Sequence, residues 1–183
     1  LLKMDFLGLS NLTILQRAVD LIKDTAGEEI DIVHIADGDA KTMEMLGKGE
    51  TFGVFQLESP GMRRAIQELR PDCVADLIAL VALYRPGPME LIPDFVARKS
   101  GRERSAYPDP RLEPILAETY GVMVYQEHVM KSAQEIGGYT LGGADLLRKA
   151  MGKKKPEEMA KHRSIFVDGA TRNGLTPAKA TLL

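Results

Sequence analysis

Ten consecutive residues, Val74 to Leu83, hold a single charged side chain, Asp76. A segment this apolar has to leave water, and the spacing predicts a buried helix over it. It runs straight into Tyr84-Arg-Pro-Gly-Pro88, where two prolines forbid continuation and a glycine permits a sharp turn. The chain is therefore committed to a core helix that stops abruptly at a stiff corner, with Arg85 on that corner.

The remaining pattern is mainly helical. Leu12, Leu15, Val19 and Ile22 recur at helical spacing, with Gly27 as the stop. Asp39 is placed to cap a short helix through Leu46 that ends at Gly47, and Pro60 to Leu69 reads as a helix with Pro71 just beyond it. Further helices are expected over Glu127 to Ile136, Gly143 to Met151 and Pro156 to Asn173, the last opened by a proline and two glutamates that suit a helix N-terminus. Short strands are expected at Lys3 to Leu9, Phe52 to Leu57 and Val122 to Tyr125, where apolar residues are β-branched, aromatic or alternate with polar ones. Lys99 to Pro110, rich in Arg, Ser, Pro and Gly, reads as an exposed loop.

Composition narrows the function classes. The 183 residues are 44% hydrophobic and 27% charged, ordinary for a globular protein, and contain no apolar run near the roughly 20 residues that cross a bilayer. Cys73 is the only cysteine, which excludes an internal disulfide and a Cys-rich zinc site and fits a reducing, cytoplasmic compartment; it reads as a small buried side chain rather than a nucleophile. The chain opens Leu-Leu-Lys and stops at Leu183 in what reads as a helix, so it is expected to be a piece of something longer.

Charge is unevenly spread. Asp20 to Glu58 holds ten acidic residues against Lys23, Lys41 and Lys48, whereas Leu141 to Arg163 holds seven basic and three acidic residues in a chain of net charge −2. Within the second stretch, Asp145, Arg148 and Lys149 fall at i, i+3 and i+4 of a helix and share a face. On spacing alone that face is either a solvated, salt-bridged one or an anion site. Lys153, Lys154 and Lys155 follow Gly152, and three successive lysines repel one another unless an anion is near. Arg clamps phosphate oxygens bidentately and Lys adds point charge, so the cluster suits a triphosphate or a nucleic-acid backbone. It is not a P-loop, because the glycine spacing is missing. Arg85 either positions a ligand from its rigid corner or caps carbonyls at the helix end. Lys3 and Asp5 lie on one side of the first expected strand, where an Asp suits magnesium and the Lys the phosphates that such a metal bridges. His34, His128 and His162 lack ligand spacing and read as structural or exposed, no nucleophile elbow is present, and Asp37-Gly-Asp39 reads as a turn and cap.

Together, Lys3-Met-Asp-Phe-Leu-Gly-Leu9, Gly53-Val-Phe-Gln-Leu-Glu-Ser59, Leu83-Tyr-Arg-Pro-Gly-Pro-Met89, Glu118-Thr-Tyr-Gly-Val122, Val124-Tyr-Gln-Glu127 and Ala144-Asp-Leu-Leu-Arg-Lys-Ala-Met-Gly-Lys-Lys154 closely resemble the C family of replicative polymerases, the alpha subunits of bacterial DNA polymerase III. The resemblance covers essentially the whole chain. It implies a mainly α fold with a few short strands: one terminal palm strand over residues 1–9 and the helical fingers domain over 10–183, truncated at its end. It implies that Asp5 is a catalytic aspartate and magnesium ligand, that Lys3, Arg148 and Lys149 approach the nucleotide's phosphates, and that Arg85 contacts phosphate or template. Lys153, Lys154 and Lys155 are implied DNA or phosphate contacts. Lys149 stands where a second Arg is often expected, which keeps the charge but loses a bidentate fork.

The implied function is replicative DNA synthesis by a DNA-directed DNA polymerase, a nucleotidyltransferase using two magnesium ions. Its partners would be primer–template DNA, deoxynucleoside triphosphates and, through regions outside this chain, a sliding clamp and other replisome subunits, with no membrane. The family's other two catalytic aspartates, in a Pro-Asp-x-Asp-x-Asp segment, are expected before residue 1, so the fragment alone is expected to be inactive. The alternatives are a lesion-tolerant polymerase paralogue and a non-catalytic nucleic-acid-binding module.

Overall fold

The computed structural model describes residues 2–35, 37–153 and 156–183, and for Lys153 the backbone alone. The described residues form ten α-helices: α1 (Ser10–Ala26), α2 (Ala40–Gly47), α3 (Pro60–Leu69), α4 (Val74–Leu83), α5 (Ile92–Lys99), α6 (Glu113–Leu116), α7 (Gln126–Gly137), α8 (Leu141–Lys153), α9 (Pro156–Arg172) and α10 (Pro177–Leu182). Their ends follow local chemistry. The Asp39 carboxylate accepts from Thr42 N at 2.8 Å to start α2, the Ser59 hydroxyl accepts from Met62 N at 3.3 Å ahead of Pro60 in α3, and Gly27 in the left-handed region (φ 71°) closes α1.

The apolar segment Val74–Leu83 is α4, and Ala79, Leu80 and Leu83 are buried in it. Around them a first core gathers Met43 and Leu46 of α2, Met62, Ile66 and Leu69 of α3, and Phe95 and Val96 of α5. A second core joins Leu112 and Leu116 to Ile136 of α7, Ala170 of α9 and Ala180 of α10, and a third joins Ala133 of α7 to Ala144 and Leu147 of α8. Helix α7 thus serves two cores. Helix α1 buries no residue, and its apolar Leu12, Ile14, Leu15 and Leu21 face outward.

None of the three expected strands forms among the described residues. Residues 2–9 are irregular and exposed, with no neighbour to pair with, and a strand exists only through its ladder. Phe52 to Leu57 instead makes two successive turns, closed by Val54 N to Thr51 O at 3.1 Å and Leu57 N to Val54 O at 3.0 Å. Gly53 and Gln56 supply the positive φ values of 78° and 65° that those turns need. The run Val122 to Tyr125 is a short lead into α7. Lys99 was expected at the start of an exposed loop, yet it ends α5 with a side chain only 9% exposed, its Nζ 2.9 Å from Asp72 and 3.1 Å from Asp76. Burial opposes its charge, but the two carboxylates outweigh that and hold the ammonium's pKa above its ordinary value. Cys73, expected to be buried, is half-buried beside those aspartates, and burial raises its thiol pKa, which disfavours a nucleophilic role.

Two features fix the C-terminal half. At the crossing of α7 and α9 a Cβ on Gly169 would fall on the carbonyl of Gly137, and one on Gly137 would meet the Phe166 ring at 2.8 Å. On the α9 side the obstacle is backbone, so only glycine at 169 allows so close an approach, whereas at Gly137 the space is taken by the Phe166 and Tyr139 rings. Beside the crossing, buried Asp109 accepts from Arg111 Nε at 2.8 Å and Lys179 Nζ at 3.1 Å, while Arg111 Nη1 donates to Asn173 O at 3.2 Å. The expected loop is therefore pinned at its far end. The Arg111 guanidinium, above all, drives the Asp109 carboxyl well below the usual carboxylate range, against the opposing effect of burial.

Gly169→Ala should cost about 3 kcal/mol of stability or more, read as a lowered thermal midpoint, because the clash is with backbone and cannot be relieved by a rotamer. Asp109 has a depressed folded pKa, so its stabilisation is fully present above the unfolded value near pH 4 and is lost as pH falls through that region and below it. Asp109→Asn should therefore flatten the acid limb of a stability-versus-pH curve between about pH 5 and pH 2 while lowering stability at pH 7.

Candidate functional site

Helix α8 begins where Thr140 caps it, its hydroxyl accepting from Gly143 N at 3.1 Å. One turn on, Asp145 Oδ1 accepts from Arg148 Nε at 2.9 Å and from Arg148 Nη2 at 2.8 Å, and Asp145 Oδ2 accepts from Lys149 Nζ at 2.7 Å. One carboxylate serves two cations, so the group keeps a net positive charge. Lys149 first, and Arg148 second, hold the Asp145 carboxyl below the usual carboxylate range, which keeps it ionised at neutral pH. Asp145 and Arg148 are 33% and 31% exposed and Lys149 53%, so the group is open to a ligand from solvent.

A fourth residue, unforeseen from the sequence, completes the group. Arg148 Nη1 donates to Gln126 Oε1 at 3.1 Å, across from α8 to the first residue of α7. The start of α7 is itself fixed by His128, which is buried. Its Nδ1 accepts from Val124 N at 3.2 Å and Tyr125 N at 3.4 Å, while Nε2 lies 3.0 Å from Glu118 Oε1. With two backbone N–H groups donating to Nδ1, the ring proton sits on Nε2 and is donated to Glu118. His128 is thus structural, as its lack of ligand spacing suggested. His34 is exposed on Asp31, and His162 is half-buried against Tyr139.

The other candidates lie apart from this group. Lys3 Nζ and Asp5 Oδ1 are 3.4 Å apart with side chains 85% and 83% exposed, so they do share a side, on a segment that no strand neighbour holds. Arg85 is exposed past the end of α4, and among the described residues its guanidinium takes no hydrogen bond or ion pair, so it does not cap the helix carbonyls. Lys154 and Lys155 lie outside the described residues, as does the side chain of Lys153. An apolar cavity of about 600 Å³ beneath α9 and α10, lined by Ile136, Met159, Phe166 and Leu182 among others, contains none of the candidate residues. The candidate site is an exposed polar surface, not a cavity.

For a metal, the described residues offer one group of three ligands close enough together, Asp72, Cys73 and Asp76. The Lys99 ammonium already lies against both of its carboxylates, so a cation of the protein's own fills the role an ion would take. Asp5 presents an exposed carboxylate, a hard oxygen donor of the kind magnesium takes, but one such donor is a fraction of an octahedral shell.

A sequence profile of the bacterial DNA polymerase III alpha subunit finger domain matches residues 11–174. Among curated proteins the chain is 54% identical over 98% of its length to a DNA polymerase III subunit alpha of Xylella fastidiosa. It is 52% identical over 96% of its length to that of Escherichia coli K12, and 52% identical over 95% to that of Halalkalibacterium halodurans. The chain spans 16% of the length of each of these relatives.

Proposed function

The chain belongs to the bacterial DNA polymerase III alpha subunit family, whose finger domain it carries, and from that premise we propose that the polypeptide containing it is a template-directed replicative DNA polymerase. It would extend a primer 3′ end with deoxynucleoside triphosphates, on primer–template DNA, with clamp and replisome contacts made by regions beyond these residues. Residues 1–9 would belong to the palm and residues 10–183 to the fingers. The observation that carries the reading is the identity of 52–54% across almost the whole chain to proteins named as this subunit. The Asp145-centred pair of cations supports it, because a surface group with surplus positive charge is what a triphosphate needs.

In this reading Arg148 and Lys149 bind the triphosphate and offset its charge, Arg148 with a fork and Lys149 with a point charge. Lys3 adds a further ammonium next to Asp5, and Arg85, whose guanidinium takes no hydrogen bond or ion pair among the described residues, is available to phosphate or template. Asp5 would hold magnesium together with carboxylates from outside these residues. When bound, two such ions activate the primer hydroxyl and stabilise the departing pyrophosphate. The chain's own residues orient the nucleotide and neutralise its phosphates, and each of them is exposed enough to do so.

Two measurements on the full-length polymerase test this. Asp5→Asn should abolish nucleotide incorporation while primer–template affinity, measured by fluorescence anisotropy, is retained; normal incorporation would remove Asp5 from the reaction. Arg148→Ala should raise the nucleotide KM by about tenfold or more, the loss of a charge-assisted contact, with a smaller effect on DNA affinity. An unchanged KM would remove Arg148 from the triphosphate site.

A further inference from the structure

We infer that Gln126 and Asp145 are positioning residues that divide the hydrogen-bonding capacity of Arg148 so that one N–H on each terminal nitrogen remains for phosphate. The inference rests on Arg148 contacting the triphosphate and says how its guanidinium is set for that contact. A guanidinium has five N–H donors in one plane. Asp145 Oδ1 takes the Nε–H and one Nη2–H, at 2.9 and 2.8 Å, and Gln126 Oε1 takes one Nη1–H at 3.1 Å. One N–H is left on each terminal nitrogen. Both are open to phosphate oxygens, the acceptors with which Arg pairs most strongly.

The two holders come from different helices, which matters for rigidity. Asp145 lies on α8 with Arg148 and by itself leaves the guanidinium plane free to follow its own side chain. Gln126 is the first residue of α7, and it ties the plane to a second element. That element is held at its start by the His128 ring, which both neighbouring backbone N–H groups and Glu118 fix in place. A side chain ordered before the ligand arrives gives up less rotamer entropy on binding. Gln126 is neutral and exposed, so it contributes neither charge nor core packing to this arrangement. What it contributes is an acceptor oxygen in one place.

That neutrality makes Gln126 the cleaner probe. Removing Asp145 would release both cations and add local positive charge, mixing a geometric loss with an electrostatic gain. Gln126→Leu removes the acceptor, keeps the size and leaves the charge alone. In the full-length polymerase, with single-nucleotide incorporation as the assay, Gln126→Leu should raise the nucleotide KM about tenfold with little change in kcat and no change in the thermal midpoint. In an Arg148→Ala background, Gln126→Leu should add nothing, the signature of two residues acting through one contact. If Gln126→Leu leaves KM unchanged, or if its effect adds in full to that of Arg148→Ala, the positioning role is wrong while Arg148 keeps its place at the triphosphate. If Arg148→Ala itself leaves KM unchanged, the triphosphate reading fails and takes this inference with it.

Discussion

The contact on which the C-terminal half depends is the crossing of α7 and α9, where Gly137 and Gly169 let two backbones touch. Gly138 then ends α7 in the left-handed conformation (φ 67°), and Asn173 Nδ2 reaches back to Ile136 O at 3.0 Å to close the junction. Helix α7 packs on α9 through one core and on α8 through another, so it joins the two halves of this arrangement. The same helix carries Gln126 at one end and the glycine crossing at the other. The geometry around Arg148 thus depends on the packing of α8 against α7, and not only on the charges that surround it.

The two readings that the sequence left open for the charged face of α8 turn out to describe one arrangement. Arg148 and Lys149 are salt-bridged, as a solvated helix face would be, but to a single shared carboxylate. Exposed pairs of this kind contribute little to stability. Their value here lies in orientation. The ion pairs keep two long side chains beside each other and leave one positive charge in surplus, which is the electrostatic condition for drawing in an anion.

Helix positions and caps were legible because their signals are local. Asp39, Ser59 and Gly27 sit within a few residues of the groups they satisfy, and α4 announced itself by composition. The expected strands fail for the opposite reason. Alternation at Lys3 to Leu9 states which side of a strand would be buried, but a partner has to bury it, and none is present among the described residues. In Phe52 to Leu57 the apolar spacing is three rather than two, since Val54 and Leu57 turn inward while Phe52 is 84% exposed, a period that two successive turns produce and a strand does not. Within the candidate site, Asp145, Arg148 and Lys149 followed from helical spacing. Gln126 did not, because it lies 22 residues from Arg148 and only the packing of α7 on α8 brings them together. The single trace of it in the sequence was its place in the Val124-Tyr-Gln-Glu127 motif.

Comparison of the two aspartate–cation groups separates a structural use of charge from a functional one. At Lys99, two carboxylates surround one ammonium whose side chain is 9% exposed. Every donor is close to an acceptor inside the protein and the group carries surplus negative charge, so an incoming phosphate would meet repulsion and no free N–H. At Asp145 the ratio is inverted, with two cations on one carboxylate, side chains a third to a half exposed, and guanidinium donors left over. Buried ion pairs need closed hydrogen bonding to offset desolvation, and the Lys99 group meets that condition. The Asp145 group does not need to meet it, because water satisfies the remaining donors until a ligand replaces it. Charge alone would rank both groups as possible anion or metal sites; the ratio of cations to carboxylates, taken with exposure, picks out the one that can still bind.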